Sequence, residues 1–461
     1  MTTFLGILGF ALAIVMLIVF AYKGYSVIII APIAALVALL LSYGLQGHFM
    51  ANYTITYMAG FANYAKNYFP IYLFGAVFAK LMDTTGAAKS IAKFFAEKLG
   101  TSKAILSVVI TCAILTYGGV SLFVVAFVVL PIAVELFRSA DIPKRLIPGT
   151  IALGAFTFTM TALPGSPQVQ NTIPMAYFGT DSWAAPVLGV IAAAVMFFGG
   201  MFWLNRRAKK AKTAGEGYGN HNELATSEES NEKLPNIVMA FVPVLIILVV
   251  NLVLSKLVYP NVDGAYLEEM FDSTLAANSG TWSVLLGMLV AILFMIVTNF
   301  KQLKMSIKED LKEAANNSMA PLINSCAVAA FGAVIKTLAV FGVIQAFILG
   351  FSGNVLLSEV ISVNVLCGMT ASASGGLGAA LEALAGTLMK SGMSPEVLHR
   401  VASVAAGGLD SLPYNGATIT VLALCGMTHK DSYKDMFVVS CVIPIIAALI
   451  LVVLGTIGIR C

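Results

Sequence analysis

Long apolar runs, separated by short polar stretches, dominate the chain. A bilayer core about 30 Å thick needs about 20 apolar residues of helix to cross it. Runs of this kind predict membrane-spanning helices at 4–22, 26–46, 184–204, 236–256, 282–299 and 436–457. Two shorter runs, 69–81 and 319–335, begin near a proline and reach Lys80 and Lys336, whose aliphatic stems can carry the ammonium to the interface. The pattern predicts an all-α integral membrane protein.

Lysine and arginine orient these helices. Residues 205–234 form the most polar stretch and open with a basic cluster, so they are predicted to be a cytoplasmic linker. The loop 258–281 has no Lys or Arg and is predicted to face outside. The other basic clusters reach the cytoplasmic side only if the segments 103–138 and 356–390 each enter and leave the membrane on the same side. Both segments are therefore predicted to be re-entrant hairpins. In addition, about ten helices are predicted to cross the membrane, with both termini outside.

The two halves share features in the same order. A lysine, a glycine, a Gly-Gly pair and a Leu-Pro pair recur 249 to 257 residues apart, at Lys80 and Lys336, Gly86 and Gly342, Gly118-Gly119 and Gly375-Gly376, and Leu163-Pro164 and Leu412-Pro413. We predict an inverted repeat, the architecture of secondary transporters. The alternative is that the glycines only let helices pack closely. The predicted boundaries are 1–204 (hairpin 103–138, broken helix 147–178), the linker 205–234, and 235–461 (hairpin 356–390, broken helix 395–428).

Two glycine turns and two proline breaks interrupt the helices near the predicted midplane. Glycine lets the chain reverse and lets an amide approach a ligand, and a helix that starts there attracts an anion. Broken backbone at this depth is tolerated only where it lines a cavity or is buried in protein. Substrate binding is predicted for Gly118, Gly119, Ser121, Thr161, Gly165, Ser166, Gln168, Asn171, Ser372, Ser374, Gly375, Gly376, Ser411, Asn415 and Gly416. The alternative is that the polar side chains only satisfy backbone groups freed by the breaks.

Few carboxylates lie inside the predicted spans, where a charge is costly and usually functional. Asp410 lies in the middle of the second broken helix and is the predicted proton-coupling residue, because desolvation favours the neutral carboxyl. The alternative is that Asp410 caps the following half-helix. Glu382 is the second candidate for proton coupling, and Glu135 is a weaker one.

Three basic side chains lie close to the second broken helix. Arg400 is placed to pair with a substrate carboxylate or, as we favour, to extend to the outer interface. His399 and His429 are expected to be interfacial.

Composition excludes several classes of protein. Of the 461 residues, 59% are hydrophobic and 11% are charged, against about 25% charged in soluble proteins, which excludes a soluble enzyme. A net charge of +4 is too small for a nucleic-acid-binding protein. The six cysteines form no CxxC pair, and there is no HExxH or GxSxG motif, so no metal, cofactor or membrane-embedded enzyme is predicted. The paired hairpins also argue against a channel.

Three long motifs carry a family resemblance: YGGVSLFVVAFVVLPIA from Tyr117, ADIPKRLIPGTIALGAFTFTMTALPGSPQVQNTIP from Ala140, and HRVASVAAGGLDSLPYNGATITVLALCGMTHKDSYKD from His399. Each resembles the gluconate:proton symporter family of bacterial permeases, and the resemblance covers essentially the whole chain. It implies a symporter of protons and small carboxylates in the bacterial inner membrane. It further implies that hairpin-bearing domains move, elevator-like, against a scaffold that forms a homodimer.

The residues at the two hairpin tips indicate which substrate and which coupling ion the resemblance implies. The uncharged YGGVSLF is more similar to members assigned to D-3-hydroxybutyrate, with gluconate or another sugar acid as the alternative. The tips lack the Ser-Asn-Thr signature of sodium-coupled relatives, which favours protons as the coupling ion.

Overall fold

A computed structural model describes residues 2–23, 25–221, 234–343, 353–370, 372–413 and 415–459, and these contain helices and no strand. Most of the predicted linker (222–233) and Tyr414 of the second break lie outside the described residues. In the first half, the α-helices of four or more residues are α1 Thr2–Tyr22, α2 Val27–Tyr43, α3 Met58–Thr84, α4 Ala87–Leu99, α5 Ala104–Tyr117, α6 Leu122–Ser139, α7 Ile147–Ala155, α8 Phe158–Thr161, α9 Val169–Phe178 and α10 Pro186–Thr213. In the second half they are α11 Ile237–Val253, α12 Ala265–Phe271, α13 Leu275–Thr298, α14 Phe300–Leu303, α15 Ile307–Lys336, α16 Val355–Thr370, α17 Ala373–Met389, α18 Pro395–Ala406, α19 Gly416–Leu424, α20 Lys434–Phe437 and α21 Ile443–Thr456.

Several helices are long and apolar enough to cross a bilayer. Among the described residues, six segments qualify: Val27–Gln46, Pro186–Thr213, Ile237–Asn261, Ala277–Thr298, Ile307–Lys336 and His429–Thr456. A seventh candidate pair, Ala87–Leu99 and Thr101–Tyr117, is bent by 104°. The prediction of an all-α, multi-pass membrane protein is confirmed. The short apolar runs 69–81 and 319–335 belong to the longer helices α3 and α15, in which polar residues precede the runs, among them Lys66 and Asn67 in α3 and Asn316 and Asn317 in α15.

The chain reverses twice within short turns. Helices α5 and α6 pack together across 118–121, where Gly119 has φ +94°, and we call this pair hairpin 1. Helices α16 and α17 pack together across 371–372, and we call them hairpin 2. A Cβ at Gly376 would lie 2.3 Å from the Cys367 Cα of the facing arm, so the arms approach as closely as two backbones allow.

Two longer helical paths are interrupted. Residues 162–168 separate α8 from α9, and residues 407–415 separate α18 from α19; we call these break 1 and break 2. Break 1 holds Pro164 and Pro167, which supply no N–H to a helix. The two breaks meet, because Ser403 Oγ donates to Thr161 O at 2.8 Å and a Cβ at Gly407 would lie 3.1 Å from Thr161 Cγ2.

Helices of the two halves pack in matching pairs. Helix α3 of the first half packs against α15 of the second half. Helix α2 packs against α15, and correspondingly α13 packs against α3. Helix α10 packs against α21. Each half-helix after a break packs on the returning arm of the other half's hairpin: α9 on α17, and α19 on α6. A large apolar core spans both halves, and a smaller one joins α1 and α2 to α15.

Buried ion pairs anchor the start of the linker at the predicted cytoplasmic edge. Asp435, 1% exposed, accepts from Trp203 Nε1 at 2.9 Å, Arg207 Nε at 2.7 Å and Arg145 Nη1 at 3.2 Å. Arg145 Nε also donates to Glu216 Oε1 at 2.6 Å, and this bond lowers the pKa of Glu216. The end of α10 and Glu216 after it are thus held against Arg145, just before α7, and Asp435 on α20.

Candidate functional site

Four helices begin directly after the hairpin turns and the breaks. They are α6, α9, α17 and α19, and their N-cap residues are Ser121, Gln168, Ser372 and Asn415. All four N-cap residues are half-buried, although residues 118–120 and 164–167, which precede two of them, are fully buried. Helix α9 packs on α17 and α19 on α6, and Gln168 Nε2 donates to Val120 O at 3.4 Å, so the starts of α6 and α9 lie close together. We infer that a crevice reaches the helix starts.

The four starts differ in how their N–H groups are satisfied. Ser372 Oγ accepts from Gly375 N at 3.1 Å, and Asn415 Oδ1 accepts from Ala417 N at 2.7 Å and Thr418 N at 3.0 Å. Ser121 and Gln168 make no side-chain cap bond to α6 or α9. A helix start without a cap attracts an anion through its N–H groups and dipole.

Two buried polar atoms beside the uncapped starts also have no hydrogen-bond partner among the described residues. They are Thr116 Oγ1, in the last turn of α5, and Gln170 Oε1, in the first turn of α9. Buried polar groups are nearly always satisfied, so such a pair points to a group that binds there. The sequence motif contained Gln170, but its role was not predicted.

The tip of hairpin 1 is fixed to break 1. Tyr117 Oη donates to Pro164 O at 2.6 Å, and Gln168 Nε2 donates to Thr116 O at 2.6 Å and Val120 O at 3.4 Å. A Cβ at Gly118 would lie 2.6 Å from Val244 Cγ2 of α11, so this glycine admits the neighbouring helix. The predicted residues Gly118, Gly119, Ser121 and Gln168 therefore lie together.

The tip of hairpin 2 is held by hydroxyl groups of α3 and α15. Ser374 Oγ lies 3.0 Å from Ser325 Oγ, which lies 3.1 Å from Tyr72 Oη, and Tyr64 Oη donates to Ser374 O at 3.4 Å. Ser372 Oγ lies 3.4 Å from Ser374 Oγ. Sequence reasoning missed Tyr64, Tyr72 and Ser325. Their polar groups lie inside otherwise apolar runs, and this pattern could have identified them.

The predicted residues within break 1 use their side chains to hold the backbone. Asn171 Nδ2 donates to Ser166 O and Ser182 O, each at 2.9 Å, and Ser166 Oγ donates to Thr159 O at 2.8 Å. Thr161 Oγ1 donates to Thr157 O at 3.2 Å. Gly165 has φ +77°, and a Cβ there would lie 2.5 Å from the Trp183 ring. These contacts correspond to the backbone-repair alternative for Thr161, Gly165, Ser166 and Asn171.

Arg400 corrects the prediction of an interfacial side chain. It is fully buried, and its five N–H groups bind protein acceptors. Nε donates to Ala184 O at 3.0 Å, Nη1 to Ala162 O at 3.1 Å and Asn171 Oδ1 at 2.8 Å, and Nη2 to Ala184 O at 2.7 Å and Ser182 O at 3.3 Å. A guanidinium supplies five N–H donors, so none remains for a substrate in this conformation.

His399 is likewise fully buried, which makes its predicted interfacial position wrong. Its Nδ1 lies 2.6 Å from Thr180 Oγ1, and its Nε2 lies 3.3 Å from Asn171 Oδ1. His429 is exposed, and its Nε2 lies 2.7 Å from Pro413 O. The two buried basic residues face break 1 because α18 is amphipathic, with its polar side turned inward.

Asp410 lies within break 2 and is half-buried. Ser411 Oγ donates to Asp410 Oδ1 at 3.0 Å. The residue that caps α19 is Asn415, so the capping alternative for Asp410 is wrong. The last predicted residue, Gly416, is exposed at the first position of α19.

The other two candidate carboxylates differ from Asp410. Glu382, on α17, accepts from Tyr177 Oη at 3.3 Å and lies 3.7 Å from Lys336 Nζ. Glu135 is exposed near the end of α6. Sequence reasoning missed Glu359, which is 1% exposed on α16. Its signal was a single glutamate within the apolar run from Val355 to Leu366.

Neither sulfur nor clustered carboxylates form a metal centre in the described part of the chain. Five described cysteines are buried free thiols, and Cys461 lies outside the described residues. No group of three or more His, Cys, Asp or Glu residues is placed to hold an ion there.

An open cavity of about 620 Å³ lies at the outer end of break 1. Thr180, Asp181, Ser255 and Glu396 are among the residues that line it. Lys256 Nζ lies 2.8 Å from Asp181 Oδ2 and offsets part of its charge. Polar and apolar side chains line the cavity in similar measure, and it lies between the loop after α9, the extension of α11 and the start of α18.

Comparison with known proteins places this geometry in a family. The GntP family permease model matches residues 5–457. The chain belongs to the GntP permease family. It is 40% identical over 448 residues to YxjC, an uncharacterized transporter of Bacillus subtilis (strain 168), across 93% of this chain and 94% of that protein. A high-affinity gluconate transporter of Escherichia coli (strain K12) is 32% identical over 162 residues, 34% of this chain and 35% of that protein.

A solved structure supports the fold of this GntP permease. The crystal structure of the Alcanivorax borkumensis YdaH transporter, described as having an unusual topology, aligns with a TM-score of 0.59 over 91% of this chain and 90% of that chain. The two sequences are 14% identical, so the likeness concerns the fold alone. Family membership confirms a membrane permease rather than an enzyme, which in bacteria resides in the inner membrane.

Proposed function

We propose that this GntP permease is a secondary active transporter that imports a short hydroxy-monocarboxylate, such as 3-hydroxybutyrate, together with a proton. The observation that carries the proposal is the meeting of hairpin 1 and break 1 at two uncapped helix starts, those of α6 and α9. The unpartnered Thr116 Oγ1 and Gln170 Oε1 beside them support a bound group there.

The charge balance of the site favours a single carboxylate. Arg400 spends its donors on backbone carbonyls and Asn171, so the substrate charge is offset by helix N–H groups and dipoles. Half-buried Ser121 and Gln168 are positioned for the carboxylate. Ser372 and Ser374 of hairpin 2 offer hydroxyls to the substrate hydroxyl. A second negative charge would have no cation to meet it among these residues.

The transport cycle that we propose uses the two halves as an inverted repeat, 1–204 and 235–461. Matching packing of α3 with α15, and of each half-helix with the opposite hairpin, supports this division. Hairpins and breaks move as one unit against a dimeric scaffold, and the polar contacts of Ser374 with α15 are broken and remade during the movement.

Asp410 is the proposed proton-coupling residue. It is half-buried in break 2, and among the described residues its side-chain donor is the neutral Ser411 hydroxyl. A carboxyl in such a place is more easily moved when it is neutral, because desolvation penalises its charged form. Protonation then lets the loaded site cross without an added buried charge.

Asp410→Asn tests the coupling. The variant keeps the shape but exchanges no proton, so in proteoliposomes it should lose uphill uptake while retaining exchange of labelled 3-hydroxybutyrate. Glu97→Gln, which removes an exposed carboxylate on α4, is the matched control and should still accumulate substrate. Accumulation by Asp410→Asn with the wild-type pH dependence would assign the proton to another group.

Gluconate is the second candidate substrate, favoured by the relative from Escherichia coli. A thermal-shift comparison of 3-hydroxybutyrate, butyrate, lactate and gluconate separates the two. Stabilisation by gluconate alone would overturn the short-chain assignment, and stabilisation by butyrate as much as by 3-hydroxybutyrate would remove the role of the hydroxyl. A passive current would indicate a channel.

A further inference from the structure

Glu359 is a buried carboxylate with no partner. It is 1% exposed and lies on α16, the descending arm of hairpin 2, four residues after the helix starts at Val355. Both of its oxygens are buried and lack a hydrogen-bond partner among the described residues. Other buried acids there differ: Asp435 binds three donors, and Asp310 accepts from Thr84 Oγ1 at 3.1 Å.

The helices that pack against α16 supply no free cation to Glu359. They are α1, α17, α18 and α21. Their titratable or charged side chains in the described part of the chain are Tyr22 on α1, Glu382 on α17, and Glu396, His399 and Arg400 on α18; α21 has none. The α17 and α18 residues contact Lys336, the Ala185 amide, Thr180 or the backbone of break 1. In the described part of the chain, nothing that faces Glu359 compensates a negative charge.

An ionised Glu359 in this position would lose its hydrogen bonds to water and would gain none from the described protein groups in their place. Burying an unpaired charge costs several kcal/mol or more, so the group takes a proton instead. A neutral carboxyl without a partner is still less favourable than an apolar residue of the same size. Since ionisable residues inside a membrane protein usually serve function, the carboxyl is best explained by a proton that it gains and loses.

The position of Glu359 gives that proton a route. Asn354, just before α16, donates to Thr456 Oγ1 at 2.7 Å at the end of α21, which the charge distribution places outside. Glu359 lies about 7.5 Å deeper than Asn354, five residues along the helix at 1.5 Å per residue. A modest outward movement of this arm therefore brings the carboxyl to the outer water.

We propose that Glu359 is a second proton-binding site, and that hairpin 2 closes on the outer side only when this carboxyl is protonated. Closing takes one proton from the outer water onto the carboxylate, and opening returns it to the same water. The inference rests on the proposed transport function but is separate from Asp410, because Glu359 controls closure and adds no proton to those transported. Substrate held by the closed hairpin then binds more weakly as the outer pH rises.

The test measures the affinity for 3-hydroxybutyrate from neutral to alkaline pH in an Asp410→Asn background, which removes the coupling carboxyl. One linked proton makes the dissociation constant rise by up to about tenfold per pH unit above the pH at which Glu359 loses its proton. Adding Glu359→Gln should remove this dependence, and adding the control Glu97→Gln, at an exposed glutamate of α4, should keep it. A pH dependence that survives Glu359→Gln overturns the proposal.

Infrared spectroscopy supplies a second measurement that needs no substrate. Protein carrying ¹³C-labelled glutamate should show the carbonyl stretch of a protonated carboxylic acid at neutral pH. The band should disappear in Glu359→Gln and persist in Glu97→Gln. Its absence from the wild-type protein overturns the proposal. If the band is present but no carboxylate binds, the transport function fails while Glu359 remains a proton site.

Discussion

Replacing Arg400 with lysine separates its structural role from substrate binding. The guanidinium makes five hydrogen bonds, to three backbone carbonyls and to Asn171 Oδ1. A lysine ammonium has three donors and no planar fork, so at least two bonds are lost. A hydrogen bond with a charged partner contributes about 1.5–3 kcal/mol. The free energy of unfolding should therefore fall by about 3–6 kcal/mol.

The assay is unfolding in mixed detergent micelles, followed by tryptophan fluorescence, together with substrate affinity of the folded protein. Because Arg400 has no donor left for substrate in this conformation, affinity should change by less than about threefold, below 1 kcal/mol. Arg206→Lys, on the exposed surface of α10, is the matched control and should shift stability by no more than about 0.5 kcal/mol.

The opposite outcome would refute this reasoning. If the guanidinium bound the substrate carboxylate, Arg400→Lys would leave stability near the wild-type value. Affinity would instead fall by about 10- to 150-fold, the equivalent of one charged hydrogen bond.

Two further predictions concern the hairpins. A Cβ at Gly376 would lie 2.3 Å from the backbone of Cys367, so Gly376→Ala should push the arms apart, cost about 1–3 kcal/mol or more and abolish uptake. Gly386→Ala on the same helix meets no atom within 4 Å and should be neutral or slightly stabilising in the same melting and uptake assays. If the repeat is inverted, Ser121→Cys should react with impermeant thiol reagents from the cytoplasmic side and Ser374→Cys from outside, each less in the presence of substrate. Labelling of both from one side would contradict the topology.

The sequence by itself determined the properties that depend on local composition. Runs of apolar residues require helices that cross a bilayer, and the prolines of break 1 forbid a continuous helix whatever their neighbours are. The Gly118-Gly119 turn likewise predicted one reversal, with Gly119 at φ +94°, whereas Gly375 and Gly376 lie inside α17, after the second reversal. These inferences need only a few adjacent residues, which is why they could be made without a structure.

Only the tertiary structure decided which polar groups are occupied. Arg400 and its acceptor Ala162 are 238 residues apart, and Tyr64 and Ser374 are 310 apart, so no local pattern pairs them. These pairings show which donors hold break 1 in place and which N–H groups, at the starts of α6 and α9, have no side-chain cap. The same holds for Glu359, whose lack of a partner is a property of every helix packed around it. Burial and hydrogen bonding between distant segments arise only when the chain is folded.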